Sequence, residues 1–206
     1  MSVSTGKPAP TGTRLSGEVR RQQIRDAAAR LFDRYGYHET SMDRIAEAVG
    51  IRKASLYYYF PSKDRLLVEM HDEMIERVIA SHEARLGKTE TSPTDLIVGI
   101  MIDLISLQET HPGSLRVFFE HRRELPEGEQ QRVAQRRDRY AEYLRDAIQA
   151  GIACGAFREV DVTLTSLAIL GMCNWSYQWF RSGGTQDAAT VARSFWAVLS
   201  EGLVAP

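Results

Sequence analysis

Two helices too short to persist alone, joined at a single glycine, constrain this fold more than any other stretch. Ser41 is placed to cap a first helix running to about Val49, and a second covers about Lys53–Tyr59 before Pro61 stops it. Helices this short are marginal in water, so each must be held by packing. A pair crossing at a tight turn needs a small residue at the crossing and a glycine at the turn, which Ala46 and Gly50 supply. Ile45, Val49, Ile51 and Leu56 can then pack the pair together and onto the helix before it. That helix begins near Glu18; Ile24, Ala27, Ala28, Leu31, Phe32 and Tyr35 recur at three- and four-residue steps, and Gly36 ends it.

The second short helix opens with Arg52, Lys53, Ala54 and Ser55, a basic and hydroxylated surface. A helix N-terminus favours phosphate, and a recognition helix enters the major groove with its early residues at the base edges. Tyr57, Tyr58 and Tyr59 are consecutive, so they point about 100° apart and at least one must face outward. An outward tyrosine beside Arg and Lys can donate to a phosphate. Arg52 also fits a solvated turn residue, and Tyr58 also fits a residue packed on the following helix; both readings stay open. Lys63 also fits a first-turn surface lysine, but the helix dipole opposes a cation there; something is expected to offset it, and a DNA phosphate would serve.

Charge points the same way. Net charge is −1, but residues 1–65 hold 12 Lys/Arg against 7 Asp/Glu, and residues 66–206 hold 14 against 20. A basic start on an acidic body suits a nucleic-acid-binding segment joined to a second unit. Residues 1–17, rich in Pro, Gly, Ser and Thr, are expected to form a disordered basic arm.

Everything after Pro61 also reads as helix. Ser62 opens a long amphipathic helix carrying Leu66, Leu67, Met70, Met74, Val78 and Leu86, and Ser92-Pro93-Thr94-Asp95 is a strong start signal for the next, which runs to about Thr110. Further helices are expected to end near Glu124, to span about Glu129–Ala153, to run from Asp161 to about Arg181, and to cover about Asp187–Gly202. No stretch alternates like a strand, so the fold class is all-α.

Several functions find no support. Cys154 and Cys173 form no metal-like cluster or disulfide framework, and the five histidines are scattered. No zinc-binding His pair, phosphate loop or nucleophile elbow is present. Catalysis, metal and cofactor are therefore not expected. No run of about 18 apolar residues is present, and no leader-like segment opens the chain. A cytoplasmic location without membrane association is expected.

Ile45-Ala46, Gly50-Ile51, Leu56-Tyr57, Phe60 and Lys63 fall where the tetracycline-repressor-like (TetR-type) regulators carry their N-terminal signature. The resemblance is specific over about residues 20–67 and looser beyond. It implies an all-helical homodimer on a palindromic operator, with residues 18–65 binding double-stranded DNA and 66–206 forming a ligand-binding and dimerisation domain. It implies that Ser41 and Arg44 approach phosphates or a groove edge, that Lys53, Ala54 and Ser55 face bases, and that Tyr57, Tyr59 and Lys63 hold the backbone. Tyr59 replaces a frequent histidine and Ala54 a common glycine.

Two stretches of the C-terminal part stand out. Leu115–Arg123 joins an apolar face, including Phe118, to His121, Arg122 and Arg123; Gly171–Arg181 carries Asn174, Trp175, Gln178 and Trp179. Trp175 and Trp179 are expected on one helix face, either lining a pocket or filling core or interface. Small Ala168 and Gly171 allow close helix approach, so the last two helices are expected to form the dimer interface through Leu164, Leu167, Ala168, Gly171, Phe195 and Leu199. Both stretches are similar to family members that answer to acyl-coenzyme A thioesters, with Arg116, Arg122, Arg123 and Arg181 as candidates for the phosphates. A hydrophobic effector of that kind is expected. A repressor responding to drugs or aromatic compounds and an enzyme on a helical scaffold are the alternatives.

Overall fold

The computed structural model describes residues 16–87 and 91–201. The arm expected over residues 1–17 lies outside these, apart from Ser16 and Gly17, which cap and begin the first helix. Helices α1 (Gly17–Tyr35), α2 (Met42–Val49) and α3 (Lys53–Tyr59) form the N-terminal unit. They are followed by α4 (Lys63–Leu86), α5 (Pro93–Thr110), α6 (Pro112–Glu120), α7 (Glu127–Ala153), α8 (Val162–Trp175) and α9 (Ala188–Glu201). The fold is all-α, with no strand among the described residues.

Local chemistry sets most starts. The side chains of Ser41, Ser62, Ser92 and Asp161 accept from the backbone N–H three residues on, at 3.2, 3.0, 3.1 and 2.8 Å. Each satisfies a donor the helix cannot pair internally. Gly50 closes α2 in the left-handed region, at φ 70° and ψ 35°, and its N–H bonds back to the carbonyls of α2. Thr40, fully buried, gives its hydroxyl to the Gly36 carbonyl (2.9 Å) and so secures the end of α1.

Two cores result. Ile24, Phe32, Ile45, Leu56 and Phe60 bind α1, α2 and α3 to the first half of α4 through Leu66, Leu67 and Met70. Met74 and Val78, further along α4, join a second core with Ile100 and Ile105 of α5, Leu144 of α7, Ile169 of α8 and Val191 of α9. Ion pairs cross between α1 and α4: Arg21 meets Glu69 at 2.5 Å, and one turn later Arg25 meets Glu73 at 2.9 Å. Arg132 of α7 grips Asp72 of α4 with two nitrogens, at 2.9 and 2.7 Å, and Arg136 adds a bond to the same carboxylate at 2.9 Å.

Three boundaries depart from the sequence expectation. The short sixth helix ends at Glu120 and a 3-10 turn, Arg122–Glu124, completes it. The charged helix starts at Glu127, directly after Pro126. The helix expected to reach Arg181 ends at Trp175 and tightens into a 3-10 turn over Ser176–Gln178. Buried Ser176 is the reason: its hydroxyl donates to the Cys173 carbonyl at 2.5 Å while accepting from the Gln108 amide. A serine bonded back into its own helix competes with the regular ladder.

The Gly50 backbone yields a test. Gly50→Ala should cost about 1 kcal/mol, because alanine is strained at positive φ although space for its methyl is open. Thermal unfolding should fall by about 2–4 °C; an unchanged midpoint means the turn relaxes freely.

Candidate nucleic-acid interface and inner cavity

Packing Leu56 into the core turns the rest of α3 outward. Arg52, Lys53, Ala54, Ser55, Tyr57 and Tyr58 are all exposed, and Tyr58 is 85% exposed, free of the long helix that follows. Tyr59 is half-buried against the first core. Its backbone carbonyl accepts from Arg21 at 2.7 Å, which fixes the last turn of α3. On α2, exposed Ser41 keeps its hydroxyl proton available while its oxygen caps the helix. The Arg44 guanidinium lies 4.3 Å over the Tyr35 ring, a stacking contact that orders it on the surface. Lys53 reaches back to Asp43 at 2.8 Å, an exposed pair of little net worth that a phosphate can displace. Ser41, Arg44, Arg52, Lys53, Ser55, Tyr57 and Tyr58 therefore form one polar surface without buried ion pairs to break.

Lys63 requires a correction. Its ammonium does not face outward for a phosphate. It donates to the carbonyls of Tyr37 (2.7 Å) and Thr40 (3.0 Å), lies 3.4 Å from that of His38, and sits 4.3 Å over the Tyr37 ring. An ammonium has three protons, and the turn between α1 and α2 engages them. These carbonyls offset the unfavourable placement at a helix start. Tyr37 completes the knot by donating its hydroxyl to Asp64, with burial and that carboxylate both raising its pKa.

The C-terminal helices enclose a cavity of about 760 Å³. Its interior is apolar, with Met74 and Val78 from α4, Leu107 from α5, Leu115 and Phe118 from α6, and Cys173 from α8. Burial pushes the Cys173 thiol up to about 12, so it stays protonated and acts as a small apolar group. Charged residues mark the mouth: Arg122, Arg123 and Arg137 are exposed and Arg145 half-buried, against Glu120 and Asp138. Arg122 and Arg123 have no ion-pair partner among the described residues.

Of the residues singled out from the sequence, Phe118, Arg122 and Asn174 line this cavity. Trp175, Gln178, Trp179 and His121 do not. The two tryptophans do not share a helix face, because α8 ends between them, and both remain exposed, at 64% and 46%. Gln178 is exposed beside them. His121 packs on Phe32 and Tyr37, between α6 and the N-terminal unit. Arg116 pairs with Asp33 at 3.0 Å and Arg181 bonds the Phe180 carbonyl, so neither reaches the mouth. Arg137, Tyr140 and Arg145 were missed, although their three- to five-residue steps along α7 place them on one side of that helix.

Leu164, Leu167, Ala168, Gly171 and Trp175 form an exposed stripe along α8, at the spacing of one helix face. Leu199 of α9 is 37% exposed, with Phe195 half-buried a turn earlier. Leu167 and Gly171 also line the cavity, so the stripe and the cavity wall adjoin.

Comparison with known proteins gives concordant results. Residues 24–70 match the family described as bacterial regulatory proteins, tetR family, and residues 90–203 match the tetracyclin repressor-like C-terminal domain. The chain is 24% identical over 201 residues to the HTH-type transcriptional repressor KstR2 of Rhodococcus jostii, covering 97% of this chain and 98% of the relative. The crystal structure of the TetR-family regulator PfmR from Thermus thermophilus superposes with a TM-score of 0.81 at 32% identity, covering 88% of this chain and 99% of that one. AibR in complex with isovaleryl coenzyme A and operator DNA gives a TM-score of 0.75 at 25% identity, covering 87% and 97%.

The geometry separates Lys63 from Arg44. Arg44→Ala should weaken DNA binding and reduce the slope of log affinity against log salt by about 1. Lys63→Ala should leave that slope unchanged while lowering thermal stability, since it loosens the 37–40 turn. Affinities measured at several salt concentrations decide; a reduced slope for Lys63→Ala would return it to the phosphate contacts.

Proposed function

The chain belongs to the tetracycline-repressor family of DNA-binding transcriptional repressors, which are not enzymes, and on that premise we propose that it is a homodimer released from its operator by an acyl-coenzyme A thioester. The observation that carries the effector is the cavity: apolar within, about 760 Å³, with four arginines against two acids at its mouth. The size is that of a small-molecule site. The acyl group fits the interior, and guanidinium forks suit the phosphates of coenzyme A. AibR, of similar fold, holds isovaleryl coenzyme A.

The uncovered stripe on α8 and its neighbours on α9 support the dimer. One α3 surface offers only a few base contacts. Two copies held about 34–36 Å apart, or a multiple, read a two-fold-symmetric site with doubled contacts. Ser55, Lys53 and Ala54 face bases; Ser41, Arg44, Arg52 and the exposed tyrosines hold phosphates. Release requires the ligand to favour a conformation whose two α3 helices no longer match the groove spacing. A tenfold loss of DNA affinity needs about 1.4 kcal/mol of coupling.

Two experiments test the reading. Leu164→Glu, on the stripe but away from the cavity, should sediment as a folded monomer and lose specific DNA binding; an unchanged sedimentation coefficient refutes the interface. Isovaleryl-, octanoyl- and ring-bearing thioesters should each be titrated into the complex with DNA selected from random sequence, beside free coenzyme A and free acids. Thioesters should release DNA, and Arg122→Ala with Arg123→Ala should weaken them more than tenfold. If no thioester binds, the effector assignment falls; if they bind without moving DNA affinity, the coupling falls.

A further inference from the structure

Helix α1 carries two rows of arginine with different surroundings. Arg21 and Arg25 turn toward α4 and pair with Glu69 at 2.5 Å and Glu73 at 2.9 Å. Arg20, half-buried, and Arg30, exposed, have no hydrogen-bond or ion-pair partner for their side chains among the described residues. They flank a cleft of about 410 Å³ between α1 and α2, with Gln23 on its wall and the small Ala27 and Ala48 leaving it room. The row continues beyond the cleft. Arg34 follows Arg30 by one turn, its guanidinium 5.1 Å over the Tyr35 ring, and Arg44 of α2 lies 4.3 Å over the same ring. Four arginines therefore follow the seam between α1 and α2.

Nearby carboxylates do not neutralise them. Asp26, the one acid lining the cleft, accepts from the Gln22 amide at 2.9 Å, and Asp33 is held by Arg116 at 3.0 Å. Like charges one turn apart on a helix repel, as Arg30 and Arg34 do, so this row gains by taking an anion. The cleft also opens on the side of α1 that is free to meet DNA. Helix α6 packs on the opposite side, where Gly113 lies against Ala29 and Arg116 meets Asp33. Ala27 and Ala29 are two residues apart and so point about 160° apart. The cleft thus faces away from the C-terminal helices and lies beside α2, whose Ser41 and Arg44 belong to the polar surface of the helix-turn-helix.

We propose that the α1–α2 cleft is a second phosphate-binding site, in which Arg20 and Arg30, with Gln23 between them, hold the DNA backbone outside the groove that α3 reads. The proposal rests on the N-terminal unit binding DNA and is independent of the effector. Arg20 and Arg30 start about 15 Å apart along α1, while phosphates of one strand recur every ~3.4 Å along the duplex axis, so the two reach different phosphates. Guanidinium forks match phosphate oxygens, and the Gln23 amide adds a donor without charge. Such contacts carry no sequence information and add affinity to any duplex.

The test compares the full chain carrying both Arg20→Ala and Arg30→Ala with the wild type and with Arg44→Ala. Each is titrated with the duplex selected from random sequence and with an unrelated duplex, at 50 and 200 mM salt. Loss of two phosphate contacts should reduce the slope of log affinity against log salt by about 2. The advantage of the wild type over the double variant should therefore shrink about tenfold between the two salts, on both duplexes. Ethylation interference locates the contact: phosphates whose ethylation weakens the wild type should become indifferent in the double variant, and they should differ from those lost in Arg44→Ala. An unchanged slope overturns the proposal, as does an interference pattern that is unchanged or matches that of Arg44→Ala. Without DNA, the double variant should unfold at the wild-type temperature or higher; a midpoint several degrees lower also overturns it, because the arginines then have partners within the protein. A wild type that binds neither duplex removes the DNA-binding reading and the proposal with it, whereas wild-type binding beside an unaltered double variant removes the cleft alone.

Discussion

Helix α4 belongs to two hydrophobic cores at once, and it packs on α5, α6 and α7. Leu66, Leu67 and Met70 lie beneath the helix-turn-helix, while Met74 and Val78 reach the second core and the cavity wall. Its 24 residues span about 36 Å, enough to run from behind the recognition helix into the C-terminal helices. Close-packed interiors transmit displacement instead of absorbing it. Lys63 fastens the first turn to the carbonyls of the 37–40 turn, and Arg21 and Arg25 fasten α1 to the next two turns. The N-terminal unit is thus tied to α4 along half the helix, not at a point.

Helix α6 and its 3-10 extension make a second connection. Phe118 and Arg122 face the cavity, yet Val117 is buried in the first core and His121 packs on Phe32 and Tyr37. Arg116–Asp33 at 3.0 Å and His38–Glu124 at 2.7 Å cross the same seam. Such exposed pairs are each worth at most about 1 kcal/mol, so the buried contacts of Val117 and His121 dominate the joint. The cavity wall and the contact with α1 are thus formed by one short stretch, the end of α6 and the start of its 3-10 extension.

What could be read from the sequence was whatever chemistry acts within a few residues. Ser41, Ser62, Ser92 and Asp161 cap helices because serine and aspartate reach their own backbone, and the all-α fold and most boundaries follow from such signals. The α3 surface was legible because Leu56 is the one fully buried residue of that helix, with Tyr59 half-buried a turn later. Lys63 was not, because its partners are backbone carbonyls some 25 positions earlier, which no side-chain pattern reveals. Trp175 and Trp179 were misplaced because their four-residue step counts only while the helix continues, and the bond between Ser176 and Gln108, 68 positions apart, ends it. Tyr140 escaped notice on a helix that reads mainly as charge, where its burial depends on α5 and α8 packing around it.

The pattern of ties limits how a cavity ligand can act at a distance. Arg132 and Arg136 pair α7 with Asp72 of α4, and both helices wall the cavity. The α6 wall packs on α4 as well, where the Phe118 and His71 rings lie 5.1 Å apart, and is in addition fastened to α1 through Asp33, Phe32 and Tyr37. On the proposed reading, a ligand that pushed α6 outward would also load α1, whose position against α4 is held by Arg21–Glu69 and Arg25–Glu73. A ligand shifts an equilibrium only by the difference in its contacts with the two states. Contacts confined to α4 and α7 would, on that reading, raise affinity with less effect on the N-terminal unit. On that reading, contact with Phe118 and Arg122 on the α6 side would distinguish a ligand that signals from one that merely binds.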